Sequence, residues 1–83
     1  GGRYIIGSPL FDEAAVNVGN GKTFRVVAHD NSPENIYIQR ARLNGKPYTR
    51  SYIDFKDIAR GGTLELTMGS KPSRFGVKPA DRP

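Results

Sequence analysis

Several features that mark particular protein classes are missing from this sequence. It contains no cysteine, which excludes disulfides and metal sites built from thiolates. No apolar run approaches the roughly 18 residues that a transmembrane helix needs, and the start of the chain has no signal-peptide pattern. Apolar residues rarely recur at the 3.6-residue period of an amphipathic helix. We therefore expect no membrane partner and little helix.

The length of the chain indicates a single small domain, and its first residues indicate a piece of a longer protein. A chain of 83 residues allows one domain. Its core must be thin, because a domain of about 60 residues buries only about 60% of its unfolded surface. Since the chain begins at Gly1-Gly2 rather than at methionine, we expect it to be a piece of a longer protein.

The net charge of +5 raises the question of an anionic partner. Part of this excess lies in a Pro- and Gly-rich tail, which carries Lys71, Arg74, Lys78 and Arg82. A second basic cluster lies inside the body of the chain and comprises Arg40, Arg42, Lys46 and Arg50. We interpret this second cluster as solvated surface and expect no nucleic-acid partner.

Short segments of alternating apolar and polar residues recur between turn residues and predict β-strands. Gly19-Asn20-Gly21 and Asn44-Gly45 are typical of hairpin turns. Asp54 is expected to cap one helical turn at residues 55–59, with Ile58 facing inward. The predicted strands are residues 3–6, 13–18, 22–28, 36–43, 46–48 and 63–68.

These segments predict an all-β fold, a small antiparallel β-sandwich of five or six short strands with one short helical turn. The sandwich is expected to span residues 1–69. Residues 70–83 have no periodicity, so they are expected to form an extended or loose tail.

The segment 35–43 does not alternate cleanly. Ile36 and Ile38 fall on one face of a regular strand, and Tyr37, Ala41 and Leu43 fall on the other. A strand with apolar groups on both faces is expected to be central and covered on both sides. Because so short a chain can cover only one side comfortably, the second cover is expected to come from a neighbouring domain.

Four blocks of the sequence, taken together, resemble one enzyme family. They are YIIGSPLFDEA, NGKTF, NSPENIYIQRARLNGKPYTRSYI and GGTLELTMGSKP, in this order along residues 4–72. The blocks are similar to the C-terminal end of glycoside hydrolase family 92, the calcium-dependent α-mannosidases of bacteria. After Ser51 the chain departs from the family pattern, because Tyr52 and Phe55 stand where the pattern has Trp and His.

The resemblance implies an exo-acting, inverting parent enzyme that removes terminal α-linked mannose, often α-1,2, from glycans. It implies an N-terminal β-sandwich and an (α/α) barrel, with this piece following the last barrel helix and packing on the barrel. The implied location is the bacterial periplasm or the cell exterior. The family's calcium ligands and its acid and base carboxylates lie upstream, so no catalytic, cofactor-binding or metal-binding residue is assigned to this chain.

The acidic residues and the single histidine have structural explanations. An inverting glycosidase needs two carboxyl groups about 6.5–9.5 Å apart across a pocket. Asp30 and Glu34 flank a turn, and Glu65 lies on an exposed strand face. Asp54 and Asp57 begin the helical turn, and His29 is expected at the surface.

The candidate contact residues are aromatic and arginine side chains in the middle of the chain. Such groups stack on sugars or bases, or they pack in cores and between domains. The candidates for glycan or interdomain contact are Tyr37, Tyr48, Tyr52, Phe55, Arg40 and Arg42, with Arg50 beside them.

Three functions are compatible with these residues. The first is a non-catalytic accessory β-domain, which predicts an exposed apolar patch where the barrel docks. The second is an independent carbohydrate-binding module that uses Tyr48, Tyr52 or Phe55 for stacking. The third is a single-stranded nucleic-acid binder of OB type, suggested only by the basic charge and the Arg/Tyr mixture.

Overall fold

A computed structural model describes residues 3–7 and 11–82 of the chain, without the side chain of Ile5. The N-terminal Gly1-Gly2 pair therefore lies outside the described residues. The strands are β1 (Arg3–Ile5), β2 (Glu13–Gly19), β3 (Lys22–His29), β4 (Tyr37–Leu43), β5 (Lys46–Tyr48), β6 (Tyr52–Asp54) and β7 (Gly62–Gly69). The helices are α1 (Phe55–Ala59) and a 3₁₀ helix (Pro79–Asp81). Neither has the length and apolar character that crossing a bilayer requires.

The described strands form two sheets, which confirms the all-β class. The larger sheet has the order β2-β3-β7-β4-β5, and β1 pairs with β6 in a separate antiparallel ribbon. The expectation of a purely antiparallel arrangement is wrong at one pair, because β3 and β7 run parallel from Phe24↔Gly62 to His29↔Thr67. The intervening segment carries β4, β5, β6 and α1, and so forms the long crossover that a parallel pair requires.

β7 is the central strand of the large sheet, a position that the sequence pattern suggested for β4. Leu64, Leu66 and Met68 alternate along one face of β7 and are all buried. β6 was not predicted, because its three residues are too few to show a period of two and, unlike β5, they do not follow an Asn-Gly hairpin turn. With β6 the described strands number seven rather than five or six.

A β-bulge in β4 explains its irregular pattern. Ile38 pairs with Met68 and Arg40 pairs with Thr67, so Gln39 is an extra residue in the register. The extra residue places Ile38 on the same face as Ala41 and Leu43, facing β7 residues of the core. The prediction that Ile38 faces away from Ala41 and Leu43 is therefore wrong. The outer face of β4 carries Arg40 and Arg42, which are exposed.

The core lies on one face of the large sheet. The ribbon contributes Ile53, which is 3% exposed, and Ile58 of α1 packs against the core as predicted. The buried residues of this cluster are Phe24, Ala28, Ala41, Ile53, Leu64, Leu66 and Met68. Burying one such large apolar side chain contributes about 1.5–3 kcal/mol, so most of the stability of the fold comes from this layer.

The segment after β7 is irregular but returns to the body of the domain. Gln39 donates from Nε2 to the carbonyl of Lys71 at 2.7 Å, and the Ser73 hydroxyl donates to the carbonyl of Ile38. Ser51 donates from its backbone N–H and from Oγ to the carbonyl of Asp81. These contacts hold the segment against the body of the domain, while the division of the chain at residue 69 into a sandwich and an extended or loose tail remains a prediction.

Candidate interaction surface

An open apolar cleft of about 740 Å³ lies between the core face of β2 and β3 and the layer formed by the ribbon and α1. Four large apolar side chains in it remain exposed: Tyr4 (51%), Phe11 (50%), Val16 (54%) and Phe55 (46%). The complete lining is Tyr4, Ile6, Gly7, Phe11, Val16, Asn17, Val18, Phe24, Val26, Ile53, Phe55, Ile58, Leu64 and Leu66. We call this surface the apolar cleft.

The cleft follows from the strand register and from the shortness of α1. Val16 pairs with Phe24 across β2 and β3, so alternation places both side chains on the core face. α1 has only five residues and covers this end of the sheet incompletely. Phe55 at its start packs against Tyr4, with a ring-centroid distance of 6.3 Å.

The described lining of the apolar cleft carries few polar groups. Among the described residues, the only polar side-chain groups in its lining belong to Tyr4 and Asn17, and Asn17 already accepts a hydrogen bond from the Gly19 N–H at 3.0 Å. Within residues 3–7 and 11–82, no carboxyl group lines the cleft. An apolar surface of this kind is typical of a site that another protein segment covers.

Tyr52, one of the predicted contact residues, is part of the interior. Its side chain is 5% exposed, and the guanidinium carbons of Arg3 and Arg50 lie 4.5 Å and 5.5 Å from its ring centroid. The ring is therefore not available for stacking on a sugar. Tyr52, at which the chain departs from the family pattern, is thus packed between two arginines through cation–π contacts.

Tyr48 is half-buried beside Tyr52. Its hydroxyl donates to the Tyr52 carbonyl at 2.7 Å. Burial raises the pKa of the Tyr48 hydroxyl above its ordinary value of 10.0, and Arg50 opposes this rise while Asp57 and Asp54 add to it. Tyr48 therefore has a packing role within the domain.

The remaining candidates, Arg40, Arg42, Tyr37 and Phe55, do not share one surface. Arg40 and Arg42 pair with Thr67 and Glu65 on the outer face of the sheet, opposite the apolar cleft. Tyr37 lies opposite Gly69 and is 39% exposed. Since Phe55 lies in the apolar cleft, the structure does not bring the six predicted residues together into one sugar-binding surface.

The outer face of the sheet carries a shallow groove of about 190 Å³. His29 and Glu65 are joined there by a contact of 2.9 Å between Nε2 and Oε2. Arg40, Arg42 and Thr67 complete the polar lining. His29 thus lies at the surface, as the sequence indicates.

Some of the carboxylates form ion pairs at the surface. Glu13 pairs with Arg25 at 3.0 Å. Asp54 holds the N-cap position of α1 but makes no side-chain cap bond, and pairs with Arg3 at 3.6 Å instead. The predicted capping role of Asp54 is therefore wrong. Within residues 3–7 and 11–82, no three His, Asp or Glu side chains are grouped so as to hold a metal ion.

Sequence reasoning missed most of the apolar cleft. Val16 lies in the predicted strand 13–18, but Tyr4 and Phe11 were not singled out. The proximity of Tyr4 and Phe55 depends on the pairing of β1 with β6, which joins residues about 50 positions apart. Local patterns do not reveal such pairings.

Comparison with known proteins identifies the family. The family model described as "Glycosyl hydrolase family 92 catalytic domain" matches residues 1–70. An uncharacterised secreted glycosidase of Arthroderma benhamiae is 43% identical over 83 residues, covering 96% of this chain and 11% of that protein.

Solved structures of family 92 enzymes share the fold. A family 92 inverting mannosidase from Bacteroides thetaiotaomicron superposes with a TM-score of 0.93 at 43% identity, over 98% of this chain and 11% of that one. A family 92 α-mannosidase from the same organism has a TM-score of 0.90 at 35% identity, with the same coverage.

The chain spans about a tenth of the length of these relatives, 11% in each case. Both the match of the family model and the likeness of fold extend over most of this chain. The chain belongs to glycoside hydrolase family 92.

Proposed function

We propose that this chain is a non-catalytic C-terminal β-domain of an exo-acting α-mannosidase-like enzyme, where it packs on the catalytic (α/α) barrel and completes the enzyme's fold. The observation that carries the proposal is the apolar cleft, with Tyr4, Phe11, Val16 and Phe55 each about half exposed. Interdomain packing would bury the remaining exposed half of each side chain, which would contribute about half of the roughly 1.5–3 kcal/mol that full burial gives.

The arrangement of acids supports a non-catalytic role. Hydrolysis of a glycosidic bond with inversion requires two carboxyl groups facing one pocket, one of them with a raised pKa. Of the described carboxylates, Glu13, Asp54 and Asp57 lie in ion pairs with arginines instead, and Glu65 contacts His29. We infer that the acid and base of the parent lie in its other domains.

The calcium that the family implies does not fit the residues of this chain. Calcium takes six to eight oxygen ligands, and the described residues offer no group of three acidic side chains or histidines. We therefore place the calcium site and the binding of α-mannoside glycans in the rest of the parent enzyme. We also propose that the parent works in the periplasm or outside the cell of a bacterium, a location supported by the word "secreted" in the name of one relative.

A carbohydrate-binding module is the weaker candidate. Its supporting observation is the exposed Tyr4 and Phe55 pair in the apolar cleft. Sugar hydroxyls also need hydrogen-bonding partners, and among the side chains that the structure describes the cleft offers only those of Tyr4 and Asn17. Titration of the 83-residue chain with mannose oligosaccharides, followed by amide shifts in NMR, separates the two candidates. Saturable shifts at Tyr4 and Phe55 would favour the module.

The docking proposal is tested by polar substitutions in the full-length enzyme that contains this chain. We expect Phe11→Ser together with Phe55→Ser to lower the free energy of unfolding of the docked domain by about 3 kcal/mol, because two half-buried contacts are lost. The measurements are thermal unfolding and the rate of proteolytic release of the domain. The matched control is Val77→Ser, since Val77 is similarly exposed (45%) but does not line the apolar cleft.

Two results would contradict the proposal. One is a double variant no less stable than the Val77→Ser control. The other is hydrolysis of a mannobiose by the purified 83-residue chain alone.

A further inference from the structure

The two edge strands of the large sheet differ in how well they are protected against pairing with a further strand. β5 has only three residues and carries Lys46 and Pro47, both of which discourage pairing with another strand. β2 has seven residues, contains no proline, and carries a single charged residue, Glu13, at its start. In the part of the chain that the structure describes, no strand pairs with the outer side of β2.

The backbone of β2 presents a regular set of outward groups. The N–H of Ala28 donates to the carbonyl of Asp12 at 2.7 Å, which makes these two residues a hydrogen-bonded pair. Such pairs alternate along an antiparallel ladder. The register therefore directs the backbone groups of Ala14 and Val16 toward β3. Those of Glu13, Ala15 and Asn17 point away from the sheet.

The outward edge is short and continuous with the apolar cleft. A register shift between Asn17 and Gly19 ends the regular ladder, which leaves residues 13–17 as the regular outer edge. The side chain of Val16 lines the apolar cleft directly beside this edge. A segment that pairs with residues 13–17 would place every second side chain over the cleft and would cover Val16, now 54% exposed.

We propose that the outer edge of β2 receives an extended segment of the same parent polypeptide, which adds a sixth strand to the large sheet. This inference rests on the proposed docking function. The relatives are about nine times as long as this chain, so the parent supplies ample further sequence. The segment is expected to be about five residues long, with apolar side chains at alternate positions.

Hydrogen exchange of the full-length enzyme tests the pairing directly. We expect the amides of Ala15 and Asn17 to exchange at least about a hundredfold more slowly than free-peptide rates, because each would donate to the added strand. Exchange of these two amides at near free-peptide rates would overturn the proposal. So would protection that disappears on dilution of the enzyme, since a second copy would then be the partner.

A proline substitution distinguishes a segment that forms hydrogen bonds with the β2 edge from one that only covers it. Ala15→Pro removes an outward N–H without removing a donor to β3, and a proline is tolerated at an unpaired edge. In the full-length enzyme we expect it to speed exchange of the Asn17 amide by at least about tenfold. The matched control is Ala15→Val, which keeps the N–H and should change that rate less than about twofold. Equal effects of the two substitutions would overturn the proposal.

Failure of this inference can be told apart from failure of the proposed function. If Phe11→Ser with Phe55→Ser destabilises the docked domain while the β2 amides exchange freely, docking stands and strand addition is wrong. If neither set of substitutions has an effect beyond its control, both are wrong.

Discussion

Tyr48 is the residue whose ionisation is most clearly coupled to the fold. Its hydroxyl lies in a half-buried site and donates to the Tyr52 carbonyl at 2.7 Å. Burial disfavours the phenolate, so the pKa of Tyr48 is raised above 10.0 despite the nearby Arg50. The folded state therefore holds this proton more tightly than the unfolded state does.

The raised pKa predicts a loss of stability at alkaline pH. Below pH 10.0 both states keep the proton, and the contribution of Tyr48 is fully present. As the pH rises from 10.0 through the raised pKa, the unfolded state releases the proton first, so the free energy of unfolding falls. The slope attributable to one such group is at most about 1.4 kcal/mol per pH unit.

Tyr48→Phe isolates this effect from the other tyrosines. At pH 8 we expect the variant to be about 1 kcal/mol less stable than the natural chain, because the hydrogen bond to Tyr52 is lost. The difference should shrink above pH 10.0, since the variant has no proton to lose at this site. Urea unfolding at several pH values measures it. A difference that stays constant up to pH 11 would mean that Tyr48 ionises equally in both states.

Individual residues were predicted best where their role depends on near neighbours in sequence. Asn20 and Asn44 lie in turns that were recognised from Gly19-Asn20-Gly21 and Asn44-Gly45, and both have positive φ angles, each 54°. Asp54 was assigned a cap because capping depends on the following three residues. Its actual partner, Arg3, is brought close only by the pairing of β1 with β6. Long-range pairing thus accounts for both this error and the missed apolar cleft.

At the scale of elements, the bulge in β4 and the segment after β7 form one unit. The extra residue Gln39 turns its side chain to the carbonyl of Lys71, and the Ser73 hydroxyl reaches the carbonyl of Ile38 on the neighbouring residue. Phe75 then packs against the core. The bulge therefore both aligns Ile38 with the core and anchors the returning segment.

Removing one of these anchors should destabilise the fold measurably. Ser73→Ala deletes the donor to a part-buried carbonyl, and we expect a loss of about 1–2 kcal/mol in the free energy of unfolding. Ser70→Ala makes the same chemical change in the same segment at an exposed position, and should cost less than about 0.5 kcal/mol. Urea unfolding of the 83-residue chain compares the two. Equal losses would show that the segment is not anchored through Ser73.

The element pattern was predictable up to the point where strands must find distant partners. The two hairpins, β2–β3 and β4–β5, follow from turn residues and adjacent strands, and both are present. The parallel β3–β7 pair joins segments about 38 residues apart. No local period distinguishes it from an antiparallel pair. The bulge at Gln39 was missed because a strict period of two was applied through residues 35–43.

The whole molecule combines an apolar cleft on one face with an overall positive charge. The net charge of +5 makes copies of the isolated chain repel one another at low ionic strength. The cleft favours their association, since Phe11 and Phe55 lose water contact when they meet another apolar surface. The balance between these two effects depends on salt in a predictable direction.

Association of the isolated chain should therefore strengthen with salt. The screening length falls from about 10 Å at 0.1 M to about 3 Å at 1 M, which weakens repulsion while apolar contact persists. Sedimentation equilibrium in 0.05 M and 0.5 M NaCl should show an apparent Kd lower by at least about threefold at the higher salt. Phe55→Ser should remove this association, because Phe55 lines the apolar cleft. Val77→Ser should leave it unchanged, because Val77 does not. Association that weakens as salt is added would contradict this prediction. Ion pairs, such as those available to Arg40 and Arg42, would then hold the copies together. The cleft would not be the surface through which one copy of this chain contacts another.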